Sequence, residues 1–127
     1  MRAAFATPSL SEATRMLAVV PWADRLRAGR MKPPIGLIRN DVRSLQELEL
    51  LLEPAPSTLP GLDFASAAAW VEGVVGDAAL AAAMREEAAR DASYVDRCQR
   101  LHALVKPRVA QIREAAAAAE APAKEEA

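Results

Sequence analysis

The chain has 127 residues, a net charge of −1 and a single cysteine. That length supports one domain with a modest core, and one cysteine excludes an intramolecular disulfide framework. No apolar run approaches the roughly 18 residues needed to span a bilayer, so membrane insertion is not expected.

The 52% hydrophobic share overstates the core, because much of it is alanine, and aromatics make up only 4%. Alanine buries little surface but is the best helix former. Composition therefore points to an all-α protein. Charge is unevenly spread: residues 1–43 carry eight bases against three acids, a balance of +5, and the remainder carries −6. Such asymmetry marks either an electrostatic docking arm or a basic segment lying on its own acidic body.

Ser9 and Glu12 form a capping box, which predicts a first helix from Leu10 to about Val20. Pro21 ends it. A short helical piece is expected from Pro21 to Ala28, with Trp22 and Leu26 on one face and Gly29 as a left-handed cap. Residues 30–40 read as an extended, basic, proline-containing connector. Ile35, Leu37 and Ile38 suit a brief strand, but no second strand is evident to pair with it.

Ser44 and Glu47 repeat the capping-box spacing. Leu45, Leu48, Leu51 and Leu52 then make one apolar face, with Leu50 off it, until Pro54. Pro54, Pro56, Pro60 and Gly61 mark a loop. Asp63 caps the next helix, whose Phe64, Ala67, Ala68, Val71, Val74 and Val75 form a buried stripe. Trp70 falls at its edge, where a half-exposed indole can anchor a partner. Gly76 stops that helix, and Asp77 caps a successor from Ala78 to about Arg90.

The last segment has the most regular pattern. Val95, Cys98, His102, Val105, Val109, Ile112, Ala116 and Ala119 recur at alternating gaps of three and four, a coiled-coil-like seam. Pro107 lies inside it, which predicts a kinked helix. Residues 1–120 are thus expected to form one bundle of four to five short helices, and residues 121–127 a disordered alanine- and glutamate-rich tail.

No GxGxxG, P-loop, GxSxG or HExxH motif occurs, so an enzyme is not expected. No cofactor is expected either. Cys98 and His102 stand four apart and can share a metal or take part in redox chemistry. The chain holds only one of each, so further ligands would have to be carboxylates such as Asp63, Glu72 or Asp96, or come from a second subunit. Core packing is the competing reading. Arg25, Arg27, Arg30 and Lys32 form the densest basic cluster and suit phosphate contact, which is the nucleic-acid alternative.

A 25-residue helix is about 37 Å long, longer than its expected neighbours can cover. The primary expectation is therefore a non-enzymatic interaction module: a small subunit, adaptor or assembly factor. It would bind a protein partner or a second copy through Val95, Cys98, His102, Val105, Val109, Ile112 and Trp70. A single thiol suits a reducing compartment, the cytoplasm. The arginine-rich N-terminus keeps an organellar matrix as the alternative, with Glu12 and Asp24 opposing it.

Overall fold

A computed structural model describes residues 5–55 and 58–120, of which 119 and 120 are described in backbone only. The predicted tail at 121–127 lies outside the described residues. The chain is a mixed α/β protein, and the all-α expectation is overturned by a three-stranded antiparallel sheet. Helices α1 (Leu10–Leu17), α2 (Leu45–Leu52), α3 (Phe64–Trp70), α4 (Ala78–Ala88) and α5 (Tyr94–Glu120) surround one core. Strands β1 (Gly29–Lys32), β2 (Gly36–Arg39) and β3 (Leu59–Gly61) lie in the order β2-β1-β3.

The helix starts follow their caps. Ser9 and Glu12 bond reciprocally at the start of α1, and Asp63 and Asp77 accept from Ser66 N–H and Leu80 N–H. Ser44 accepts from Glu47 N–H, but Glu47 turns its carboxylate to Arg43 N–H instead of closing the box. Behind these caps the apolar faces meet. Leu45, Leu48, Leu51 and Leu52 are buried and Leu50 is exposed, so α2 lays its apolar face into the core. Each fully buried leucine contributes about 1.5–3 kcal/mol by leaving water.

Helix α3 does not run on as an α-helix. Residues Val71–Val75 form a π turn, in which Gly76 N–H donates to Val71 O at 2.9 Å, and Gly76 takes φ +89°. Helix α5 passes through Pro107 without interruption.

The connector expected at 30–40 is instead a hairpin. Glycine 29 is a strand residue and not a helix cap, and only Trp22–Asp24 before it makes a 3-10 turn. Strands β1 and β2 pair as Gly29–Arg39, Arg30–Ile38, Met31–Leu37 and Lys32–Gly36. The turn is closed by Ile35 N–H donating to Lys32 O at 2.8 Å, the Pro33–Pro34 peptide is cis, and Gly36 takes φ +105°. Leu26 and Val42 bridge in the same register, exchanging bonds of 2.8 and 2.9 Å. One ribbon therefore runs from a buried root at Leu26 and Val42 to an exposed tip.

On its other side β1 pairs with β3, as Gly29–Gly61, Arg30–Pro60 and Met31–Leu59. Proline is tolerated there because position 60 points its backbone away from β1. The outward Pro60 carbonyl accepts from Tyr94 Oη, which ties β3 to the start of α5.

Candidate functional site

The middle of the last helix's seam is covered by the chain itself. Cys98, Val105, Val109 and Ile112 are buried, and α1, α2 and α4 all pack on α5. Leu101, Leu104 and Arg108 are buried beside them, so the enclosed face is broader than the seam. Alanine 116 still packs against this core. Of the expected partner contacts, Val95 is exposed and His102 partly so. Trp70 is buried, and its Nε1 donates to Asp24 O at 2.7 Å. The cover that a partner was expected to supply comes from three short helices, α1, α2 and α4.

Cys98 is buried, and that burial pushes its thiol pKa upward. His102 keeps a buried Nε2 with no partner among the described residues. No group of three or more His, Cys, Asp or Glu side chains that could hold a metal ion occurs among the described residues.

The exposed chemistry gathers on the hairpin. Every residue from 31 to 40 is exposed, with Ile35 at 69% and Leu37 at 66%. Met31 and Ile38 add to this apolar tip, and Trp22 stands nearby at 57%. Isolated exposed leucines need no explanation, but four large apolar side chains within eight residues of one projecting element do. From Arg25 to Arg39 the chain carries five bases and no acid.

The basic residues have unequal roles. At the base of the ribbon, the Asp41 side chain is buried and accepts from Arg25 Nε at 2.7 Å, Arg39 Nε at 2.8 Å and Ala28 N–H at 3.1 Å. The Arg25 guanidinium, followed by the Ala28 amide and Arg39, holds its carboxyl down to about 2 despite the opposing effect of burial. Arg25 also stacks 4.1 Å from the Trp22 ring and donates to Trp22 O. Arg30 donates to Leu50 O at 3.0 Å. The Arg27 and Lys32 side chains are exposed and have no hydrogen-bond or ion-pair partner among the described residues. Two of the four expected electrostatic contacts are thus structural and two are available.

Shallow depressions flank this hub. One of about 330 Å³ lies between Arg27, Leu37, Arg39 and Gly61, and another of about 360 Å³ between Arg30, Asn40, Glu47 and Leu50. Leu37 lies across the two glycines, since a Cβ on Gly29 or Gly61 would come within 2.9 or 2.6 Å of its Cδ1.

The sequence reading named the basic residues but missed Asp41, Leu37 and the tip as a unit. The available signal was the acid-free run from 25 to 39 ending two residues before Asp41. Among the described residues no helix is long and apolar enough to cross a membrane. Comparison with protein-family models, curated proteins and solved structures finds no match, and nothing in it supports a subunit, adaptor or assembly factor in particular.

Proposed function

We propose that the protein is a non-enzymatic interaction module that docks onto a protein partner through the β1–β2 hairpin. One observation carries this reading: a rigidly rooted ribbon projects an apolar tip that its own core leaves uncovered. The root is buried at Leu26 and Val42, and Asp41 locks its base, whereas Met31, Ile35, Leu37 and Ile38 face solvent. A preorganised apolar tip, with Leu37 on one face of the ribbon and Ile38 on the other and cations beside both, lowers the ordering cost of binding. The C-terminal helix then has a supporting role, because its apolar face is spent on the core. The single buried thiol fits a reducing compartment, with the cytoplasm as the simplest choice.

The test is a paired capture. Wild-type chain and an Ile35→Ser, Leu37→Ser, Ile38→Ser variant serve as baits from the same extract. The variant should retain the wild-type circular dichroism and unfolding midpoint while losing the partners that the wild type retains specifically. Identical capture by both baits sinks the reading. Arg27 and Lys32 keep a second reading in view, contact with nucleic-acid phosphates. Two available cations predict a shallow salt dependence, a log–log slope of about −1.8 on double-stranded and about −1.4 on single-stranded probes.

A further inference from the structure

The hairpin has one open edge, and its backbone pattern says which groups it offers. Asn40 N–H donates to Ala28 O, and Leu26 and Val42 exchange both bonds, so the even-numbered positions are the hydrogen-bonded pairs of the ribbon. Along β2, Ile38 therefore bonds toward β1, while Leu37 and Arg39 direct N–H and C=O outward. Neither has a backbone partner among the described residues. The opposite edge, on β3, is closed by Pro60 and Tyr94.

Most exposed edges are blunted by an inward charge, a bulge or a proline. Strand β2 has no proline or bulge, and its edge charges are cations, Arg39 and the neighbouring Lys32. Its residues Gly36, Leu37, Ile38 and Arg39 alternate two faces, Leu37 with Arg39 on one and Gly36 with Ile38 on the other. Lys32 stands opposite Gly36, so no side chain separates its ammonium from the open edge. Arg27 and Arg39 border the depression beside Leu37. The edge thus presents apolar positions between cations, with Asp41 already neutralised by Arg25 and Arg39.

We propose that β2 receives an extended, acidic segment of a partner protein as an added fourth strand. On the face of Leu37 and Arg39 the segment would set an apolar side chain against Leu37 and a carboxylate against Arg39 and Arg27; on the opposite face it would set an apolar side chain against Ile38 and a carboxylate toward Lys32, so its residues run acidic, apolar, apolar, acidic. Its outward-facing peptide groups would pair with Leu37 and Arg39. A second copy of this chain fits poorly, because edge-to-edge pairing would bring two cationic strands together. The proposal rests on the docking reading above and specifies the partner's chemistry.

Amide hydrogen exchange on the isotope-labelled full chain tests it. The probe is a blocked peptide of repeated Glu-Val-Val-Glu units, which puts a valine and a glutamate on each face, with a Lys-Val-Val-Lys peptide as control. The glutamate peptide should slow exchange at Leu37 and Arg39 and leave Arg30 and Ile38, already bonded, unchanged. Leu37→Pro removes one outward N–H at an edge position and should weaken binding about fivefold. Lys32→Glu, which touches no structural contact, should weaken it about three- to tenfold. If Leu37→Pro does not fold, the wild-type protection pattern and Lys32→Glu still decide. Equal responses to both peptides, or protection that bypasses residues 37 and 39, overturn the proposal. So do protection by self-association without peptide, and preferential binding of anionic vesicles or RNA that the glutamate peptide does not displace. If the peptide fails while the apolar-tip variant still loses its captured partner, only the added-strand mode falls. If the tip variant also captures normally, the docking reading falls with it.

Discussion

Arg108 of α5 grips Asp77 of α4 through both carboxylate oxygens, with Nε to Oδ2 at 2.7 Å and Nη2 to Oδ1 at 3.2 Å. The pair is almost fully enclosed, at 4% and 1% exposure. It also joins three parts of the chain. Asp77 caps α4 by accepting from Leu80 N–H, while Arg108 reaches Ala6 O and Gln111 reaches Phe5 O, fastening the N-terminal segment to α5. The guanidinium lies 5.2 Å from the Phe5 ring.

Removing one partner of such a pair strands the other as a buried charge. Asp77→Ala should therefore destabilise the fold by about 3–5 kcal/mol in urea denaturation. Asp77→Asn keeps an acceptor for Leu80 N–H and should cost less. Adding Arg108→Met to Asp77→Ala should recover part of the loss, because it removes the stranded charge. A loss below about 1 kcal/mol for Asp77→Ala would place the pair among ordinary surface bridges.

Asp41 predicts an acid response. Its folded carboxyl titrates at about 2, below the ordinary value of about 3.9 for the unfolded chain. A depressed carboxylate stabilises the folded state fully above its unfolded pKa, and that contribution is lost as pH falls through the folded one. The stability gap between wild type and Asp41→Asn should thus be constant above about pH 5 and close between about pH 4 and 2. Carboxyl-carbon titration should place the Asp41 midpoint near 2 and move it upward in Arg25→Gln. A midpoint near 4 in the wild type would remove the ion-pair hub as an anchor of the ribbon.

Much of the helical fold was legible because its signals are local. Ser9, Ser44, Asp63 and Asp77 announce helix starts through side chains that reach only three residues ahead. The apolar face of α2 and the stripe from Phe64 to Val75 follow from periodicity. The sheet was not legible, since its pairing is set by a root at Leu26 and Val42 and a strand, β3, about thirty residues away. Its strands are four residues or fewer, and Pro33–Pro34 gives none of the usual hairpin turn signals. On α5 the stripe is covered at Cys98, Val105, Val109 and Ile112 and open at Val95. Periodicity could not say that α1, α2 and α4 would cover it.

Gly29 and Gly73 should respond oppositely to alanine. A methyl on Gly29 would sit 2.6 Å from the carbonyl oxygen of Ile38, a backbone atom that no side-chain rotation can move. Gly29→Ala should cost about 1–3 kcal/mol and weaken exchange protection along the ribbon. A methyl on Gly61 meets only the flexible end of Leu37 at this distance, so it should cost less. At Gly73, inside the π turn, a methyl meets nothing within 4 Å. Gly73→Ala should stabilise by about 0.5–1 kcal/mol through the unfolded chain's lost freedom. Equal effects at positions 29 and 73 would contradict the close approach of β1 and β2.

Cys98 tests how tightly α5 is enclosed. Its thiol is buried, and that burial raises its pKa, with the neighbouring Tyr94 hydroxyl acting the other way. The thiolate is the reactive form, so both effects of burial, lost access and lost ionisation, slow attack on a disulfide reagent. Native chain at neutral pH should react far more slowly than urea-unfolded chain, and its rate should track the global unfolding equilibrium. Cys98→Ala should be modestly destabilising through lost packing, and Cys98→Ser more so, because it buries a hydroxyl in a site built for sulfur. Fast labelling of the native chain, independent of urea at low concentration, would mean that α5 opens locally. The seam would then be available to a partner after all, and the hairpin would no longer be the chain's main uncovered apolar surface.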